Sequence, residues 1–263
     1  MIKRKGRDVK PLYIKLMPLL IIVSLFSANI HADTFKGKIL LSHFTTSAVK
    51  IDGMRDPVWD NAVSSEIKTT MSWDLKTVST DCSVSGKVSS LWDGALLYLL
   101  VEVSDYDIFT EGRMPTDNDG IEVFIDLHND KNAKYLEDDW QINITAKGAI
   151  SGKGAYQERV KVFAVAPSYD SNDKLVGYKV ELALFTGGIP IKNNTPVGIE
   201  FSISDASSST KKCSNRVFWS DGNNRGLDDN RRWGIVTLTG HDEKSPLAPD
   251  TYILNKNIRK AEA

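Results

Sequence analysis

An all-β, antiparallel, jelly-roll-like sandwich in one domain, with a short helix near its start, is the fold this sequence predicts. Three observations predict it. Runs that alternate apolar and polar residues recur from about Ile39 to Leu238, the period-two signature of strands. Turn signals rich in Asp, Gly, Asn and Pro separate them. About 200 residues without internal repeats suit one all-β domain.

The first segment stands apart. Met1 to Lys15 carries six basic residues, and "LMPLLIIVSLFSA" follows at Leu16 to Ala28, then "NIHA" ending at Ala32. A basic stretch, a short apolar core and a small residue form a secretory signal peptide, expected over residues 1–32. An uncleaved anchor is the alternative, but the apolar run is shorter than the roughly 18–20 residues that span a bilayer. The leader takes six of the 33 basic residues and one of the 34 acidic ones, leaving 27 basic and 33 acidic residues and a net charge of −6. That balance argues against nucleic acid or an anionic membrane as partner. The expectation is a monomer, soluble after cleavage, in the periplasm or outside the cell. An oxidising compartment lets Cys82 and Cys213 close a disulfide, with two free thiols as the alternative.

Residues 33–240 then form the domain. "DPVWDNAV" reads as the short helix, with Asp56 as N-cap, Pro57 at the first helical position and Trp59 as a plug on the sheets. "GKVSSLW" and "ALLYLLVEVS" flank Asp93–Gly94, a two-residue hairpin signal, with Leu97, Leu99, Val101 and Val103 on one face. "DNDGIEVFIDLHND" places Ile121, Val123, Ile125 and Leu127 on one face and Glu122, Phe124 and Asp126 on the other. "DWQINITAKG" sets Trp140, Ile142 and Ile144 against Gln141, Asn143 and Thr145, and the Gly-rich "GAISGKGA" reads as a hairpin loop. "VKVFAVA" and "LVGYKVELALF" form a hairpin around "PSYDSNDK". "VGIEFSISDAS" turns Ile199, Phe201 and Ile203 inward and Glu200, Ser202 and Ser204 outward, and "RVFWSD" and "RWGIVTL" complete the set. Residues 241–263 read as a tail in which only "TYILN" packs.

Glu122 and Asp126 do not make a glycosidase pair. Four residues of one strand span about 13 Å, against ~5–9.5 Å for an acid and its partner. Glu181 or Glu200 could serve as partner only from another strand. "DNDG" lacks the first Asp and the twelfth-position Glu of an EF-hand. A structural calcium on carboxylates remains expected at Asp105 and Asp107, or at Asp138 and Asp139, with solvated turns as the alternative. No zinc spacing, nucleophile elbow or phosphate loop occurs, so no organic cofactor is expected. What remains is binding: Glu122, Phe124, Gln141 and Asn143 can line one groove if their strands are neighbours, and such a mixture suits sugar hydroxyls and ring faces.

"IDGMRDPVWDNA", "VSSLWDGALLYLLVEVSD", "DNDGIEVFIDLHND", "GYKVELAL", "VGIEFSISDAS" and "VFWSD…RRWG" occur in one order. As a set, from about Val49 to Leu238, they resemble carbohydrate-binding module family 9. The resemblance implies a β-sandwich, bound calcium in some members, and recognition of oligo- or polysaccharide, often beside xylanases and other plant-polysaccharide enzymes. It implies that Glu122 and Gln141 contact sugar. Two tryptophans clamp the ring in sugar-binding members; Thr116 and Leu227 stand at their places here, and Asn143 replaces a basic residue. Trp73, Tyr106 or Phe109 could offer another platform. The expected function is therefore non-catalytic carbohydrate binding. The alternatives are a hydrolase or accessory component acting on O-glycosyl bonds, an envelope interaction domain, or a haem-type sandwich with Met114 or His128 as axial ligand.

Overall fold

The computed structural model describes residues 37–72, 84–186, 192–207, 212–220, 229–242 and 253–254. The leader, Trp73, Cys82 and Leu227 lie outside the described residues. Fifteen strands follow in chain order: β1 Ile39–Phe44, β2 Lys50–Ile51, β3 Ser64–Ile67, β4 Thr69–Ser72, β5 Ser85–Trp92, β6 Leu96–Ser104, β7 Gly120–Asp126, β8 Asp139–Thr145, β9 Ile150–Lys153, β10 Val160–Tyr169, β11 Leu175–Phe185, β12 Pro196–Ser207, β13 Lys212–Phe218, β14 Gly234–Thr239 and β15 Ile253–Leu254.

The strands hydrogen-bond in the order β10-β11-β6-β5-β1-β14-β12-β7-β8-β9, with β3 on β5, and β13 between β12 and β4. This is the predicted sandwich: a β10-β11-β6-β5 layer and a β14-β12-β7-β8-β9 layer, joined through β1. Among the described residues of the larger sheet, the pairing departs from antiparallel at β1. β1 runs parallel to both β14 and β5, bridging the layers. Between the layers lie Leu97, Leu99 and Val101 of β6, Ile121, Val123 and Ile125 of β7, and Ile199, Phe201 and Ile203 of β12, all buried.

A second apolar cluster covers the outer face of the first layer. Leu91, Tyr98, Leu100, Val162 and Ala183 meet Val49, Ile51 and Trp59 there. Trp59 is 0% exposed, the plug foreseen. It sits in a 3-10 turn at Pro57–Asn61, where Pro57 opens the turn and the Asp56 side chain makes no capping bond. The β5–β6 hairpin closes one residue later than "DG" suggests. The Asp93 amide donates to the Leu96 carbonyl, so Gly94 and Ala95 are the central residues. Gly94 takes φ 104°, which only glycine adopts without strain. Asp93 instead accepts from the Ala95 and Leu96 amides and the Tyr98 hydroxyl.

One other expectation changes: "GAISGKGA" holds a real strand, β9, which pairs with β8 and is followed by one helical turn at Tyr156–Arg159. In the tail, Ile253–Leu254 (β15) pairs in parallel with β2 in a separate two-stranded sheet.

Candidate functional site

β7 is buried along its whole length, on both faces. Its apolar face fills the core. Its other face joins rows across neighbouring strands: Ser202–Glu122–Asn143 and Glu200–Phe124–Gln141. The register therefore brings the predicted residues Glu122, Phe124, Gln141 and Asn143 onto one polar floor. They are not displayed on an open groove, as expected from the sequence. Glu122 is 1%, Gln141 7% and Asn143 3% exposed. The turn at Pro115–Asp117, which carries half-buried Thr116, packs on β8, β12 and β13. Trp233 closes the other end, its ring centroid 5.6 Å from that of Phe124.

Glu122 is held by three groups. Its Oε2 accepts from Arg216 Nη1 at 2.5 Å and Ser202 Oγ at 2.9 Å, and its Oε1 from Gln141 Nε2 at 3.1 Å. Arg216 sits on β13 and is 3% exposed, so this is a buried ion pair. Beside it the polar accounting does not close. Gln141 Oε1, Asn143 Oδ1 and Nδ2, and Ser204 Oγ are buried without a hydrogen-bond partner among the described residues. Buried polar atoms are paired in the great majority of cases, and each orphan costs on the order of 1–3 kcal/mol. These four atoms lie on β8 and β12, on either side of Glu122 on β7.

The other acidic residues separate into structural clamps. Glu200 Oε1 accepts from the amides of Phe201, Trp219 and Ser220. Asp126 accepts from the amides of Asp130 and Lys131, fixing the loop after β7. Asp105 caps Asp107 and lies near Asp119 and Asp205. Asp119 accepts from Phe109 and Ala206 amides. Asp138 and Asp139 instead converge with Asp126. Tyr106 is exposed beneath Lys174, Phe109 is buried, Met114 is exposed, and His128 pairs with Asp138.

Glu181 lies on the far side of the first layer, away from the floor. Its Oε2 accepts from Asp52 and Gly53 amides, and its Oε1 from Trp59 Nε1, each at 2.7 Å. Gly53 has φ 82° with Ala166 pressed against the place of a Cβ, which secures the close approach. Burial pushes the Glu181 carboxyl from its ordinary 4.5 up to about 7, against those hydrogen bonds. Burial likewise pushes Asp119 from 3.8 up to about 8, helped by Asp105 and Asp205. A carboxyl with a raised folded-state pKa holds its proton longer in the folded chain. Its stabilisation is complete below the unfolded value and is lost as pH rises through the folded one. The melting temperature should therefore fall between pH about 5 and about 8, and Glu181→Gln should flatten that slope. A melting temperature that rises over this interval would contradict both assignments.

A β-sandwich whose buried polar face carries a paired glutamate and side-chain amides is a frame of the kind that ligand-binding modules use. The match to known families is specific: residues 51–241 fit the model described as "Carbohydrate family 9 binding domain-like". The chain belongs to that family. It is 30% identical over 190 residues to an exoglucanase, XynX, of Acetivibrio thermocellus, with 72% of this chain and 16% of that protein aligned. It is 30% identical over 220 residues to endo-1,4-beta-xylanase A of Thermoanaerobacterium saccharolyticum, with 81% and 18% aligned. The matched region is thus under a fifth of the length of these relatives. Among solved structures, a family 9 module from Caldicellulosiruptor kristjanssonii in complex with cellotriose superposes with a TM-score of 0.67 at 23% identity, covering 81% of this chain and all of that one. The same kind of module with glucose gives 0.66 at 23% identity, covering 78% and 98%. These likenesses establish the fold.

Arg216 and Ser202 escaped the sequence reading. The signal for Ser202 was present in the outward set of β12. For Arg216 no local pattern singled it out; which carboxylate it meets depends on the β12–β13 register.

Proposed function

We propose that this chain is an exported, non-catalytic carbohydrate-binding protein that holds plant-type oligosaccharide or polysaccharide ends on the β12–β7–β8 floor. The observation that carries this reading is the group of four buried, unpartnered polar atoms on Gln141, Asn143 and Ser204 beside Glu122. A sugar hydroxyl both donates and accepts, so one ring edge can satisfy an amide oxygen, an amide nitrogen and a hydroxyl together. Support comes from the family, from relatives named as xylanases, and from neighbours titled as glucose and cellotriose complexes. Glu122 orients Gln141 in this scheme, Phe124 backs the floor, and Thr116 walls the slot. Thr116 offers less apolar surface than an aromatic platform, and burial is worth about 25 cal/mol per Å², so the affinity rests on hydrogen bonds. A ligand must displace the covering segments, so association is slower than docking on an open surface.

Asn143→Ala is the discriminating test. Both its side-chain polar atoms lack a partner among the described residues, so the fold should lose little. Sugar affinity should fall by about tenfold or more, one to two lost hydrogen bonds. Calorimetric titration of glucose, xylose, cellobiose, xylobiose and soluble xylan into the chain and this variant measures it. Heat of equal size in both proteins, or none with any sugar from folded protein, would sink the reading.

A further inference from the structure

The inner face of the β10–β11 hairpin runs on past the core. Val165 and Val180 still pack in the apolar cluster between the layers. Beyond them the cross-strand pairs Pro167–Tyr178 and Tyr169–Leu175 continue along the hairpin. These four side chains line a cleft of about 390 Å³. The loop after β6 and the β8–β9 turn supply the rest of the lining, through residues 108–111 and 146–147. Asp119 ties those two segments together. Its Oδ2 accepts from the Phe109 amide, and its carbonyl accepts from the Ala146 amide. The cleft is therefore formed by hydrogen-bonded segments before any ligand arrives.

Its lining selects a ligand class. The volume falls within the roughly 300–1,000 Å³ of small-molecule sites. Tyr169 is 59% exposed, so one aromatic face stands open beside the buried Phe109 and Tyr178 rings. Such a face suits the C–H surface of a ring ligand. Glu111 and Lys147 are both exposed, and neither makes an ion pair or a side-chain hydrogen bond among the described residues. A cation is repelled by Lys147 and an anion by Glu111. A neutral, hydroxyl-rich ligand meets both, donating to the Glu111 carboxylate and accepting from the Lys147 ammonium. Lys174 is engaged elsewhere, its Nζ 5.6 Å from the centroid of the Tyr106 ring. Opposite charges on an apolar, aromatic cleft thus fit a pyranose better than a charged or wholly apolar molecule.

We propose that this cleft is a second saccharide site, separate from the β12–β7–β8 floor, in which a neutral pyranose stacks on Tyr169 and is held by Glu111 and Lys147. The two places differ in kind. On the floor, Glu122, Gln141 and Asn143 are all buried. In the cleft, the platform and both charged groups already face solvent. A sugar reaches them without displacing a segment, so association here is the faster of the two. On a polysaccharide the cleft and the floor act as two linked points of attachment, which raises the overall affinity where one chain reaches both. The proposal shares only its ligand class with the carbohydrate reading of the floor, and it rests on different residues.

Amide chemical-shift mapping of the full chain with glucose, xylobiose and cellobiose tests the site, and it needs no variant to fold. We expect saturable shifts at residues 108–111, 146–147 and 169–175. Tyr169→Ala, at an exposed position, should weaken cleft binding about threefold to tenfold, and Lys147→Met about tenfold. Glucosamine and glucuronate each carry a charge and should bind the cleft more weakly than glucose. Shifts confined to floor residues 120–124 and 141–145 would overturn the inference, as would cleft shifts that neither variant weakens. Charged sugars that bind the cleft as tightly as glucose would also overturn it. Shifts at the cleft alone would sustain the second site and remove the floor reading. Shifts at neither place, from folded protein, would remove both.

Discussion

Arg216→Ala should destabilise the chain by about 3–5 kcal/mol, the cost of stranding a buried charge. The guanidinium is 2.5 Å from Glu122 Oε2, and both side chains are almost wholly out of water. Without Arg216, Glu122 keeps only the Ser202 hydroxyl and the Gln141 amide. Glu122→Ala breaks the same buried pair and should cost about as much. The double variant should cost less than the sum, because neither charge is left alone, with a coupling of about 1–3 kcal/mol. Arg216→Lys keeps the charge but changes its shape and reach, and should recover only part of the loss. Urea unfolding monitored by tryptophan fluorescence measures all four. Single variants within about 1 kcal/mol of the parent would show that the pair does not organise the floor. The sugar-binding consequence is separable: Asn143→Ala tests the ligand with the ion pair intact.

The second large effect lies on the opposite face. Trp59→Ala should cost about 3–5 kcal/mol, the range for deleting a fully buried large aromatic. Trp59 is the centre of the outer cluster, against Leu91, Leu100 and Val162 among others. It also donates to Glu181 Oε1 at 2.7 Å. Two contributions therefore combine, and Trp59→Phe divides them. Phenylalanine keeps much of the volume but leaves Glu181 one donor short, for a loss of about 1–3 kcal/mol. The difference between the variants then measures packing. If both behave like the parent, the segment Lys50–Asn61 is not a structural lid on this layer. Because this cluster and the floor lie on different layers, the Trp59 and Arg216 effects should add.

Much of this was legible in the chain. Alternation marked which face of β6, β7, β8 and β12 turns inward, because a strand's side chains alternate strictly and one face must leave water. Pro57 and the apolar Trp59 announced a short turn packed on a sheet. Acidic residues before β8 announced a cluster. Local chemistry was misread where two nearby residues could serve equally: Asp93 and Gly94 both suit a turn, and the Leu96 carbonyl selected Gly94.

Sequence by itself determined the β class, the inward sets and the polar strand faces of Glu122, Gln141 and Asn143, since each follows from residue type and period-two spacing; the Trp59 plug followed from Pro57 and a large apolar ring in a short turn. Only the tertiary structure decided which strands are neighbours. That choice placed Arg216 of β13 on Glu122 of β7, set Asn230 beside Asp139 across 91 residues, and sent β1 parallel between the layers. It also left Gln141, Asn143 and Ser204 with polar atoms that have no partner among the described residues. The physical reason is that hydrogen-bond satisfaction is a property of contacts between distant segments. Strand register and layer packing fix those contacts, and no local pattern encodes the register of one strand against another far along the chain.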